Sequence, residues 1–307
     1  MTTDAHLLTG LTGAAPPRGA AVGVSAAFGT FGELLQGVLP EKDGDFLVTL
    51  PVARWAMARF ELDPRADGLA VEPPHKKKAL RLTSMIMEDA EHAAGGLLTL
   101  DSTLPEGKGL ASSSADLVAT ARAVANALGE PMPPRRIETY LARIEPTDGV
   151  LYPSVVAFHH RSVRLRARLG SLPSMAVVSV DEGGSVDTVD FNNIPKPFTA
   201  ADKREYVRLL DRVTRAVARR DLAEVGRVAT ASALMNQVLR HKWSLEPMIA
   251  ICEAVGGLGV VVGHSGTALG ILLDTAAPDC HAKLTAAAQR CQELAGNVTV
   301  YRTLSFH

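Results

Sequence analysis

Residues 104–129, LPEGKGLASSSADLVATARAVANALG, hold groups suited to binding a phosphate. Pro105, Gly107 and Gly109 are spaced two apart, Lys108 lies between the glycines, and Ser112, Ser113 and Ser114 follow. Leu117, Val118, Ala121, Val124 and Leu128 then recur at helical spacing. A glycine-rich turn feeding a helix aims unpaired backbone N–H groups at one spot, with the positive end of the helix dipole behind them. Glycines let the backbone approach the anion closely. Serine hydroxyls can cap the helix, contact phosphate oxygens or take a metal. The plain alternative is a capped helix after a tight turn. Two common phosphate motifs are excluded. Lys108 is followed by Gly109 and not by Ser or Thr, and Ser112 stands where the dinucleotide fingerprint has its third glycine.

A second group lies at IEPTDGVLYPSVVAF, residues 144–158, where Glu145 and Asp148 flank a proline in a turn composition. Two such carboxylates are commonly just solvated. Phosphoryl transfer, however, needs one group to hold Mg²⁺ against the phosphates and another to orient or deprotonate the acceptor hydroxyl. In AVGVSAAFGTFGELLQGVL, residues 21–39, a strand from Val22 precedes Glu33 and Gln36, which are three apart among apolar neighbours and glycines. They belong to a surface turn or to a loop facing a cleft. Residues 256–274, GGLGVVVGHSGTALGILLD, read as two short strands around a G-H-S-G-T hairpin loop.

Residues 105–115 resemble the P-x-G-x-G-L-G-S-S-A-A signature of the GHMP kinases, departing at Ala111 (usually Gly) and Ser114 (usually Ala). The Gly32–Gly37 segment, G-E-L-x-Q-G, resembles the branch of bacterial L-threonine kinases of cobalamin synthesis. So do Pro146-Thr147-Asp148 and the stretch of Asp181 with Gly-Gly-x-x-Asp-Thr. The G-H-S-G-T loop within residues 256–274 is similar to the family's third, glycine-rich motif, with His264, Ser265 and Thr267 replacing glycines. The resemblance implies an α+β, two-domain GHMP kinase fold: a ribosomal-protein-like N-terminal α/β domain and a C-terminal ferredoxin-like split βαβ domain. It implies ATP on Pro105, Gly107, Lys108, Gly109, Leu110, Ala111, Ser112 and Ser113, and Mg²⁺ on Ser113 and Glu145, with Glu138 a second candidate for the metal. Asp148 would face the acceptor hydroxyl, with Lys108 beside it in the catalytic set. Glu33, Gln36, Asp148, Ser265, Gly266 and Thr267 would line the acceptor site. The implied reaction moves the γ-phosphoryl of ATP to L-threonine. Another small alcohol such as homoserine or serine, or a nucleotide-binding homologue without turnover, stays open.

The elements that must position these residues follow from pattern. Strands are expected over 46–62, 69–71, 95–103 and 163–169, the last with Arg164, Arg166 and Arg168 on a solvated face. Helices are expected over 77–93, 134–143, 200–219, 222–239 and 278–294. Lys76, Lys77 and Lys78 read as a solvated helix start that could attract a nucleotide, and Ser232 and Asn236 as sharing one helix face, at the surface or on the substrate side. The expected organisation is a loose tail over 1–20, an N-terminal domain over 21–171 and a C-terminal domain over 172–307. The chain of 307 residues is 47% hydrophobic and 21% charged with a net charge of −1, which offers no basic field for nucleic acid or an anionic membrane. Three cysteines without C-x-x-C spacing fit a reducing compartment and no zinc site. No apolar run approaches the ~20 residues of a membrane span, and no signal peptide opens the chain. A cytoplasmic protein, with a homodimer an open option, is expected.

Overall fold

The computed structural model describes residues 21–184, 196–263 and 266–306. The expected tail over 1–20, Asp187 and Thr188, and the loop residues His264 and Ser265 fall outside these ranges. The first half opens with β1 (Ala21–Val38) and β2 (Asp45–Asp63), paired antiparallel from Ala21↔Leu62 to Val38↔Asp45. A βαβ unit follows: β3 (Leu69–Glu72), α1 (Lys77–Asp89) and β4 (Gly95–Ser102), with β3 parallel to β4. Then come α2 (Ser112–Leu128), α3 (Pro134–Leu141), β5 (Val155–His159) and β6 (Arg164–Gly170). Arg164, Arg166 and Arg168 are exposed, as their alternation predicts.

The second half runs β7 (Met175–Asp181), α4 (Ala200–Arg219), α5 (Leu222–Met235), α6 (Leu245–Ala254), β8 (Gly259–Val262), β9 (Ala268–Asp274), α7 (Cys280–Ala295) and β10 (Thr299–Arg302). Its strand order, β10-β7-β9-β8, is that of a ferredoxin-like split βαβ unit. The sheet continues through β8 into β1, at Glu33↔Val262, and on through β2 and β4 to β3. Successive side chains of β7 serve different cores, because a strand alternates faces. Met175 and Val177 join the larger cluster with Phe46, Phe60 and Val213, whereas Ala176, Val178 and Val180 pack with Leu245, Met248 and Cys291.

Helix α2 lies deepest. Ala119, Ala121, Ala123 and Ala125 are all buried, so small side chains let its backbone approach the sheet. The contact with β1 is so close that a Cβ at Gly23 would sit 2.0 Å from the Ala123 carbonyl oxygen. Two expectations need correction. Helix α6 was not foreseen: its apolar residues surround the axis, and Pro247 hides it, although a proline in the first turn removes no needed donor. The Leu245, Met248 and Cys252 spacing was the available signal. The helix from Leu222 ends at Met235, where Asn236–Val238 tightens into a 3₁₀ turn.

Candidate active site

The turn before α2 winds through three left-handed positions: Gly107 (φ 70°), Gly109 (φ 84°) and Ala111 (φ 57°). Its carbonyls face the protein. Gly109 O accepts from Gly32 N–H (3.0 Å), and Leu110 O from Thr30 N–H (3.3 Å). Lys108 O accepts from Ala268 N–H (3.4 Å), across from the second half. A Cβ at Gly266 would meet the Lys108 carbonyl at 2.1 Å, and one at Gly109 would meet Gly263 Cα at 2.9 Å. The two glycine loops therefore touch backbone to backbone. Helix α2 starts at Ser112 behind Ala111, with no side-chain cap and no acidic residue in its first turn. The positive end of a 17-residue helix is thus left open to an anion. The caps that Ser112, Ser113 or Ser114 could have made do not form, since all three lie inside the helix.

Ala111 explains why glycine suits that position. Alanine in the left-handed region costs about 1–2 kcal/mol, partly offset by the freedom it removes from the unfolded chain. Ala111→Gly is expected to leave stability unchanged or raise it by up to about 1 kcal/mol, read as a shift in the urea midpoint. A loss above that would contradict the strain.

Ser113 and Ser114 join the helix start to the acidic segment. The Ser113 hydroxyl donates to Glu145 Oε1, and the Lys78 ammonium donates to Oε2 of this buried carboxylate. Ser114 Oγ accepts from the Asp148 backbone N–H (3.1 Å) and its hydroxyl supports the Asp148 carboxylate. Burial, aided by the Glu145 charge, pushes Asp148 up to about 6, against the lowering effect of Ser114. Glu138, the second metal candidate, is engaged as Glu145 is: its Oε1 accepts from Tyr152 Oη (2.8 Å) and Leu165 N–H (2.8 Å), tying α3 to β6. The lysine run is not a plain solvated start either. Lys76 pairs with buried Asp116 (2.6 Å) and with Glu106 (2.5 Å), clamping the two ends of the phosphate turn.

Glu33 and Gln36 lie on β1 itself and not on a turn or loop. The strand absorbs the glycines by slipping register between Thr30 and Glu33 and between Glu33 and Leu35. Both side chains are buried. Ser232 and Asn236, expected on a surface, are buried and hold this strand: Gln36 N–H donates to Ser232 Oγ (3.0 Å), and Asn236 Nδ2 donates to the Gln36 carbonyl (3.0 Å). Lys108 is turned towards the second half, with Nζ 2.6 Å from Asp181 and 2.7 Å from the Gly184 carbonyl. Thr267 donates to the other oxygen of Asp181. Pro105 is exposed at the start of the turn, while Leu110 is buried beneath it. One residue was missed altogether: Lys242, buried beside Gly266.

Residues 77–153, which carry α1, the phosphate turn, α2 and the acidic segment, match the model of the GHMP kinases N terminal domain. Over these residues the chain is similar to the GHMP kinases. The chain is 29% identical over 244 residues to an L-threonine kinase of Citrobacter freundii, an alignment covering 79% of this chain and 83% of that one. It is 25% identical over 259 residues to an L-threonine kinase of Salmonella typhimurium, covering 84% and 85%. Among solved structures it is similar to a homoserine kinase from Cytophaga hutchinsonii, with a TM-score of 0.71 at 17% identity over 95% of this chain and 97% of that one. At that identity the likeness shows the fold. No helix among the described residues is long and apolar enough to cross a membrane.

Proposed function

We propose that this chain transfers the γ-phosphoryl of ATP to the hydroxyl of L-threonine, with Mg²⁺, at the junction of the two glycine loops. The observation that carries the proposal is the coupling of the open α2 N-terminus, through Ser113 and Ser114, to Glu145 and Asp148. The first turn of α2 and the backbone of residues 107–113 would hold the phosphates, as helix N-termini do. The donor set fits Mg²⁺: one buried carboxylate, Glu145, and one hydroxyl, Ser113, both hard oxygen ligands. Among the described residues no cluster of three or more His, Cys, Asp or Glu could hold a metal alone, in keeping with an ion that shares its shell with phosphates. Held by Glu145 and Ser113, such an ion would supply positive charge to offset that of the phosphates. Asp148 would orient the acceptor hydroxyl and receive its proton. Its raised affinity for protons suits that task near neutral pH.

The halves on either side of residue 171 would form the two walls, with Glu33 supplying the anionic partner that an amino-acid ammonium needs once it leaves water. ADP release with L-threonine, L-serine, L-homoserine and 3-hydroxybutyrate tests the proposal. Threonine is expected to be phosphorylated and the amine-free hydroxybutyrate to react slower by roughly 10²-fold or more, since a polar site rejects an analogue that strands its groups. Glu33→Gln should raise KM for threonine and spare KM for ATP. Equal rates on threonine and hydroxybutyrate would remove the amino acid from the proposal and leave a kinase for another small alcohol.

A further inference from the structure

The connection from α5 to α6 carries a lysine where solvent-facing side chains are the rule. Its neighbours obey that rule: His241 is exposed and Trp243 is 51% exposed. Lys242 between them is drawn inward to 5% exposure. Its peptide is gripped for the purpose. Lys242 N–H donates to Gln237 Oε1 (2.8 Å), and Gln237 Nε2 donates to the Lys242 carbonyl (3.2 Å). The ammonium donates to the Gly266 carbonyl (2.7 Å), the residue pressed against the Lys108–Gly109 peptide. Satisfying one carbonyl does not require a buried charge, because a neutral donor would do so at lower desolvation cost.

The surroundings supply a reason. Lys242 and Arg240 line one small pocket together with Gln36, Asn236 and Gly263. Two cationic residues lining one pocket with amide side chains suit a small anion. The nearby carboxylates Asp181 and Glu182 are otherwise occupied: Asp181 by Lys108 and Thr267, Glu182 by the Ser244 N–H and hydroxyl at the start of α6. Glu33, three residues from Gln36 on β1, places a negative charge within range of the Lys242 ammonium. A pocket lined by cations, with a carboxylate within electrostatic range of one of them, offers both polarities that an α-amino acid zwitterion carries.

We propose that Lys242, with Arg240 at the rim, binds the α-carboxylate of the acceptor and thereby selects amino acids over other alcohols. This rests on the amino-acid kinase proposal above. Burial and the Arg240 charge lower the Lys242 ammonium to about 8, against the pull of Glu182, Glu33 and Asp181. It remains mostly charged at neutral pH, and an incoming carboxylate would repay its lost hydration.

The test compares L-threonine with L-threoninamide, which lacks the carboxylate charge, in wild type, Lys242→Met and Arg240→Gln. Wild type is expected to favour threonine in kcat/KM. In Lys242→Met, threonine should lose about 10²-fold, the scale of a charged pair broken by truncation, while threoninamide and the KM for ATP stay as in wild type. Arg240→Gln, at a half-buried site, should cost about tenfold for threonine alone and serves if the lysine variant does not fold. A wild-type ratio of the two acceptors retained in the variants would overturn the assignment, as would a parallel loss for both acceptors and ATP. Equal wild-type rates on threonine and threoninamide would overturn it while leaving the kinase standing. No ADP release with any acceptor would instead overturn the kinase proposal, and this one with it.

Discussion

Asp148→Asn is expected to lower kcat by roughly 10²- to 10⁴-fold, the usual scale for a lost acid–base group, with ATP affinity essentially intact. The side chain stays the same size, and the Asp148 N–H still donates to Ser114, so the link between α2 and the acidic segment survives. What disappears is the charge. Burial and Glu145 push this carboxyl up to about 6, so the wild-type rate should fall as pH drops through about 6, and the variant should lack that limb. Stability should move the other way. A folded-state pKa raised above the unfolded one means that the group contributes stability below about 4, and that this contribution is lost as pH rises through about 6. At pH 7 the ionised carboxylate is a burden, and Asp148→Asn should raise Tm there. A variant with lower Tm and an unchanged pH limb would show Asp148 to be structural and not a base.

Gly266→Ala is expected to lower turnover by about 10²-fold by displacing the glycine turn before α2. A Cβ at residue 266 would sit 2.1 Å from both the carbonyl carbon and oxygen of Lys108 and 2.2 Å from the Gly109 nitrogen. These are backbone atoms and cannot swing aside as a flexible side chain would. The turn is also held on its other side by Gly32 and Thr30 of β1, so a shift must break those hydrogen bonds or part the two glycine loops. Overpacking of this kind costs about 1–3 kcal/mol, and a misplacement of about 1 Å costs on the order of 10²-fold in rate. ATP titration by calorimetry together with a urea midpoint would separate the effects. A folded variant with wild-type ATP affinity and turnover would mean that the close approach has no functional weight. The same geometry changes what a bulky residue at position 109 would report. Its side chain would strike Gly263 and Gly266 at a left-handed backbone position, so Gly109→Val should damage the fold as well as phosphate binding.

Some elements were legible because their signals are local. The apolar spacing from Leu117 to Leu128, the alternation of arginines from 164 to 168 and the hairpin around Gly266 depend on neighbours in the chain, and each forms where its period places it. The turn before α2 was legible for the same reason: left-handed glycines and a helix start fall within one run, residues 107–112. The linkages were not legible. Ser113 and Ser114 meet Glu145 and Asp148 more than 30 residues away, and Lys108 meets Asp181 across 73 positions, since 181 less 108 is 73. Glu33 and Gln36 looked like turn residues because glycines surround them. Only pairing with β2 and β8, and the grip of Ser232 and Asn236, turns that segment into a buried strand. Lys242 had no sequence signal at all, standing as one cation among Arg240, His241 and Trp243. Its inward turn is set by Gln237 and Gly266, contacts that exist only once the second half has folded over the phosphate turn. Local period and backbone propensity determined the elements and the glycine turn before α2. Burial, and the meeting of charges distant in the chain, decided which polar side chains face one another there, because desolvation acts on groups only after packing has removed their water.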